Sequence, residues 1–111
     1  MTTGDPTEVG VVFAALADAT RRDVVVHLSS DGPATPTQLA ARLPVTRQAV
    51  AKHLAALESA GLVAVSREGR EARYRFTPEP LADAMSWITD VGLQWDRRLD
   101  ALRALLGEEA G

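Results

Sequence analysis

The chain has 111 residues, 46% of them hydrophobic, with a formal net charge of −3 and no cysteine. That length suits one domain with a modest core, and the missing cysteine excludes disulfides, thiolate metal sites and thiol redox chemistry together. The apolar run VGVVFAALA at 9–17 precedes the first basic residue, Arg21, and is too short to span a bilayer, so neither a signal peptide nor a membrane segment is expected and the chain reads as soluble and cytoplasmic.

Residues 1–6 are expected to be disordered. From 7 to 18, Val9, Val12, Phe13 and Leu16 recur at helical spacing and predict a first helix with one apolar face. Asp18 then stands as N-cap for a second helix, ATRRDVVVHL, whose Val24, Val25 and Leu28 point inward, and SSDGP ends it. Thr35, Pro36 and Gln38 carry the signature of a capping box with proline at the first helical position, opening a short third helix. Pro44 cannot continue that helix, and Thr46 caps the next one, whose buried stripe is Val50, Leu54 and Leu57. Gly61 followed by Leu62 gives a left-handed stop.

From Leu62 the period changes to two. Val63, Val65 and Arg67 alternate with Ala64, Ser66 and Glu68, Gly69 marks a turn, and Ala72, Tyr74 and Phe76 alternate with Arg73, Arg75 and Thr77. This predicts a β-hairpin with a basic outer face. After PEP a helical pattern returns from Leu81 to about Leu106, roughly 39 Å at 1.5 Å per residue. The fold class expected is mainly α with one hairpin: a single domain over 1–111, with a helix pair at 35–61, the hairpin at 62–77 and a long final helix at 80–107.

The charge is unevenly spread. Residues 42–75 hold seven basic and three acidic side chains, a net +4, which leaves −7 for the rest. A basic segment on an acidic chain suits a polyanionic partner while limiting indiscriminate association. Arg47, Gln48, Lys52 and His53 crowd the first two turns of the fourth helix, away from its apolar stripe. Two helices joined by a tight turn, the second armed at its N-terminus, form a helix-turn-helix, whose second helix enters the DNA major groove. Gln48 suits a bidentate contact with adenine, Arg47 reaches guanine or phosphate, and Lys52 meets the backbone. Thr35, Thr37 and Thr46 join this set, the helix N-termini at Thr35 and Thr46 offering N–H groups to phosphate. The hairpin becomes a wing that presents Arg67 and Arg70 at its tip, with Arg73 behind them and Glu68 and Glu71 diluting the charge.

The segments ALADATRRDVVVHL, TPTQLAARLPVTRQAVAKHLAALESAGLV and REGREARYRFTPEPL resemble the ArsR family of winged helix-turn-helix repressors, and the resemblance runs from residue 9 to about 106. It implies a homodimeric, cytoplasmic bacterial transcription regulator that binds an inverted repeat in double-stranded DNA. Many members have serine where Ala51 stands, so a hydroxyl contact is replaced by a methyl group able to touch thymine. Metal-sensing members use a cysteine pair on the helix matching 36–43, or carboxylates and histidine on the last helix. This chain has TQLAARL at the first place and no histidine at the second, so no metal site and no cofactor are expected. Asp83, Asp90, Asp96 and Asp100 read as a solvated face.

His27, beside the Val24–Leu28 face, reads as a packed, hydrogen-bonded core residue rather than a ligand. His53 either braces the turn or reaches DNA. No nucleophile, base and orienting group occur as a set, and no glycine-rich phosphate loop is present, so an enzyme is not expected.

In the last helix Leu81, Met85, Ile88, Gly92, Trp95, Leu99, Leu102 and Leu106 follow an alternating spacing of four and three, a heptad seam longer than a small domain can cover. A second copy of the chain is the expected partner, with Gly92 allowing close approach and Val9, Val12 and Phe13 of the first helix adding to the interface. Trp87, Trp95 and Met85 read as packing anchors ahead of an effector cavity. Two other functions remain consistent with the sequence: a small-molecule sensor with its ligand at the dimer interface, and a winged-helix protein-interaction module that does not bind DNA.

Overall fold

In the computed structural model, residues 6–107 are described, and the expectation of a disordered start lies outside them except at Pro6, which opens the first helix. The elements are α1 (Pro6–Leu16), α2 (Ala19–Asp31), α3 (Pro36–Arg42), α4 (Arg47–Ser59), β1 (Val63–Glu68), β2 (Glu71–Phe76) and α5 (Glu79–Leu105). α1 stops at Leu16, short of the expected 18, because Asp18 takes extended backbone and caps α2 by accepting from the Arg21 N–H at 3.1 Å. Arg22 then turns back and donates to the carbonyls of Leu16 and Ala17, placing a cation where the end of α1 carries partial negative charge.

The other predicted caps form as well. Thr35 accepts from the Gln38 N–H while Gln38 Oε1 accepts from the Thr35 N–H, a complete capping box with Pro36 at the first position. Thr46 Oγ1 accepts from the Ala49 N–H. α4 ends with the Gly61 N–H on the Glu58 carbonyl and the Leu62 N–H on the Leu57 carbonyl, with Gly61 at φ 76°. This is the Schellman arrangement that a residue without Cβ permits at low cost.

The core gathers Val24 and Leu28 of α2, Leu39 of α3, and Val50, Leu54 and Leu57 of α4 over Leu62 and Val63 at the root of the hairpin. From α1 it takes Val9, Val12 and Ala15, and from α5 only Ala84 is fully buried. β1 and β2 pair antiparallel from Val63 opposite Phe76 to Glu68 opposite Glu71, with Gly69 at φ 62° starting the two-residue turn, as a type II′ hairpin requires. The outer edge of β2 is not left bare: Ala34, between α2 and α3, exchanges two backbone hydrogen bonds with Tyr74. At the other end, Thr77 donates its N–H to the Leu62 carbonyl and its hydroxyl to the Gly61 carbonyl.

α5 departs from the body of the fold after Trp87, whose ring meets Phe13 edge to face at 5.9 Å. Beyond that point it has little to lie against: Ile88, Trp95 and Leu102 are each more than half exposed, as is Met85 just before it. Among the described residues no helix is long and apolar enough to cross a membrane.

Candidate nucleic-acid interface

α4 is oriented by what it buries. Val50, Leu54 and Leu57 have no exposed surface, so the 100° step of the helix turns Arg47, Gln48, Ala51 and Lys52 outward, and all four are exposed. The turn from Leu43 to Thr46 pins the N-terminal end of α4 beside α3, and one side-chain bond spans it: Arg47 Nε donates to Thr37 Oγ1 at 3.1 Å. Thr37 therefore holds the guanidinium stem, and the two terminal amino groups of Arg47 remain to meet an acceptor. Gln48 and Lys52 have no hydrogen-bond partner among the described residues.

Two sequence-based expectations, at Thr35 and His27, change here. Thr35 is 9% exposed, its hydroxyl oxygen accepts from the Gln38 N–H and its own N–H donates to Gln38 Oε1, so both of these N–H groups are already paired. At Thr46 the hydroxyl oxygen accepts from the Ala49 N–H and keeps its own O–H to donate, and the N–H groups of Arg47 and Gln48 remain the unpaired donors of that first turn. His27 is not in the core: it is partly exposed and contacts Asp31 at 3.3 Å, which also receives Arg42 at 3.3 Å, so the three residues form a surface link between α2 and α3.

His53 is braced rather than free. Arg21 Nε, from the first turn of α2, donates to His53 Nδ1 at 3.2 Å. The same Arg21 supplies the N–H that holds the Asp18 carboxyl below its ordinary range, with His53 nearby adding a smaller effect in the same direction. No local signal in the sequence announces this contact, since 32 residues separate its members.

On the wing, Arg67 and Arg70 are exposed and have no ion-pair partner among the described residues. Arg73 is partly covered and lies 3.6 Å from Glu71. The register also divides the cations, because Arg67 shares the face of Val65, Ala72 and Tyr74 while Arg73 and Arg75 share the other with Ala64 and Ser66. The basic outer face expected from the alternation is thus Arg73 and Arg75 alone, with Arg67 projecting from the inner face where it runs past the core.

For the expected dimer face the structure separates two groups. Val9 and Val12 are each 3% exposed within the protomer's own core and have no surface left for a partner. Phe13 and Val11 of α1, with Met85, Ile88, Trp95 and Leu102 of α5, keep theirs, while Leu81 and Leu99 are partly covered. A cleft of about 370 Å³ lies between α1, the end of α4 and the start of α5, lined by Val9, Val11, Val12, Ala60 and Pro80; Met85, Trp87 and Trp95 take no part in it. Among the described residues no three histidine or carboxylate groups converge as a metal site. Among the described residues the further contact of the His27–Asp31 pair is Arg42 rather than a third ligand.

Residues 16–66 match the family model described as a helix-turn-helix domain. The HTH-type transcriptional regulator CmtR of Mycobacterium tuberculosis is 43% identical over 96 residues, spanning 85% of this chain and 80% of that protein. The arsenic resistance transcriptional regulator ArsR1 of Pseudomonas putida is 33% identical over 102 residues, spanning 88% of this chain and 79% of its own length. Among solved structures, an ArsR-like transcriptional regulator from Rhodococcus sp. RHA1 superposes with a TM-score of 0.81 at 42% identity, covering 89% of this chain and 92% of that one.

Proposed function

This chain belongs to the ArsR family of helix-turn-helix transcriptional regulators, and we propose that it acts as a cytoplasmic homodimeric repressor reading an inverted repeat with Arg47, Gln48, Ala51 and Lys52. The observation that carries this reading is the outward presentation of those four side chains from a helix whose other face is wholly buried. In it, Gln48 reads a base, Arg47 and Lys52 hold the backbone, and Arg67 and Arg70 extend the footprint to the flanking phosphates.

The apolar stripe on α5 supports the dimer part of this reading. Ile88, Trp95 and Leu102, all more than half exposed, form a hydrophobic seam that a second copy satisfies by symmetry, each stripe covering the other. Pairing would set the two recognition helices about 34 Å apart, one turn of DNA, so that an inverted repeat presents matching half-sites. Repression then follows from occupancy of the promoter.

The test is selection from a random 30-bp duplex library, followed by footprinting on genomic DNA. The expected result is an enriched inverted repeat whose affinity falls steeply with salt. Failure to enrich any sequence, or affinity indifferent to salt, would favour a protein-interaction module instead, because phosphate contacts necessarily release counterions.

A further inference from the structure

An arginine in the first turn of a helix is locally misplaced, since the helix dipole there disfavours positive charge. Arg21 sits in that turn of α2, behind the Asp18 cap, and spends its Nε–H on His53 Nδ1 of α4 at 3.2 Å. A local choice that works against its own helix points to a demand made from outside it. Building on the DNA-reading role given to α4, we propose that Arg21 is a positioning residue for that reading: through His53 it fixes the rotation of the recognition helix, and so the aim of Gln48 and Arg47.

The geometry supplies the reason. The buried stripe of Val50, Leu54 and Leu57 holds α4 down but is apolar, and apolar packing is non-directional. Two polar contacts add direction. Arg47 to Thr37 ties the first turn of α4 to α3 on one side, and His53 to Arg21 ties the second turn to α2 on another. Held from both sides, the helix has a defined rotational setting. The contact also sets the imidazole tautomer: with Nδ1 accepting, the neutral ring carries its proton on Nε2. Arg21 itself needs no contact with DNA for this role.

The experiment uses the full chain and the inverted-repeat duplex enriched by the wild type, with a scrambled duplex of equal length as competitor. Arg21→Ala and His53→Ala should each lower the preference for the enriched duplex by about tenfold, the ratio one charge-assisted hydrogen bond commands. The double variant should lose no more than either single one, because both remove the same contact. His53→Asn, which places an amide oxygen near the position of Nδ1, should restore most of the preference. Scrambled-duplex affinity and its salt slope should stay as in the wild type.

¹⁵N spectra of the imidazole at alkaline pH give a readout independent of DNA. The wild type should show the Nε2–H form, and Arg21→Ala a mixture of tautomers. Additive losses in the double variant would overturn the proposal, as would a salt slope lowered by about 1 in Arg21→Ala, the mark of a direct phosphate contact. A wild type that enriches no duplex overturns the regulatory reading and this role with it. Single variants that discriminate as well as a discriminating wild type overturn the positioning role alone.

Discussion

Gly92→Leu separates a close helix contact from a mere weak point in α5. Inside the protomer a Cβ at Gly92 meets nothing within 4 Å, so a side chain there starts into open space. Alone, the substitution should strengthen the helix by about 0.5–1 kcal/mol, the cost glycine carries relative to alanine. If two copies meet at Gly92, the enlarged side chains enter a packed seam, and overpacking costs about 1–3 kcal/mol per site. A two-fold interface counts that cost twice, giving about 2–6 kcal/mol against the dimer. The helix gain is shared by monomer and dimer and cancels. At about 1.4 kcal/mol per decade, dissociation should rise by roughly 30-fold or more. Sedimentation velocity over a range of concentrations measures the shift, and thermal unfolding of the monomeric variant shows that it remains folded. Gly92→Ala serves as control, adding helix strength with a single methyl group and moving dissociation far less. A Gly92→Leu dimer as tight as the wild type, with a higher melting temperature and full DNA affinity, would refute close approach at this residue.

The remaining expectations concern DNA, metal and the caps. Replacing Arg47 and Lys52 together with alanine should weaken binding and flatten its salt dependence by about 1 for each lost phosphate contact; an unchanged slope in a folded variant means that neither meets phosphate. Gln48→Ala should narrow the gap between enriched and scrambled duplexes by about 1–3 kcal/mol, whereas equal loss on both would make Gln48 a backbone contact. Equimolar zinc, cadmium or arsenite should leave DNA affinity unchanged, because the chain has no cysteine and α5 has no histidine; a tenfold release in a mobility-shift titration contradicts this. Thr35→Ala should lower stability to urea by about 0.5–2 kcal/mol without altering the salt slope, and a lowered slope at full stability would return Thr35 to the DNA-contacting set.

What the sequence discloses is mostly local. Asp18, Thr35 and Thr46 were readable as caps because the donor each one satisfies lies three residues ahead, and the period change after Leu62 marked the hairpin within a few residues. The exposed stripe of α5 was legible for the same reason, as a heptad repeat along one helix. Contacts between distant segments had no such signal. Nothing near His53 specifies Arg21, and nothing near Arg47 specifies Thr37; each pair meets only after helices have packed. His27 shows the opposite difficulty. Its apolar neighbours suggested burial, but it lies on a turn of α2 that faces Asp31 and Arg42 at the surface. A stripe does not state which surface covers it, and Val9 and Val12, expected to face a partner, are taken into the core of their own chain.

The two backbone bonds between Ala34 and Tyr74, with the Thr77 contacts to Gly61 and Leu62, fasten the hairpin both to the segment entering α3 and to the end of α4. Helix and wing are thereby joined like the jaws of a fixed caliper. A caliper of set span does not adjust to its workpiece, so in the proposed complex the DNA would supply the fit, and sequences whose groove reaches that span at low deformation energy would gain affinity at positions no side chain touches. The same rigidity directs where a regulatory signal can act. One that loosened a jaw would have to break the Ala34–Tyr74 backbone bonds, whereas in the proposed dimer one that tilted the two α5 helices against each other would move two intact calipers out of step with the proposed repeat.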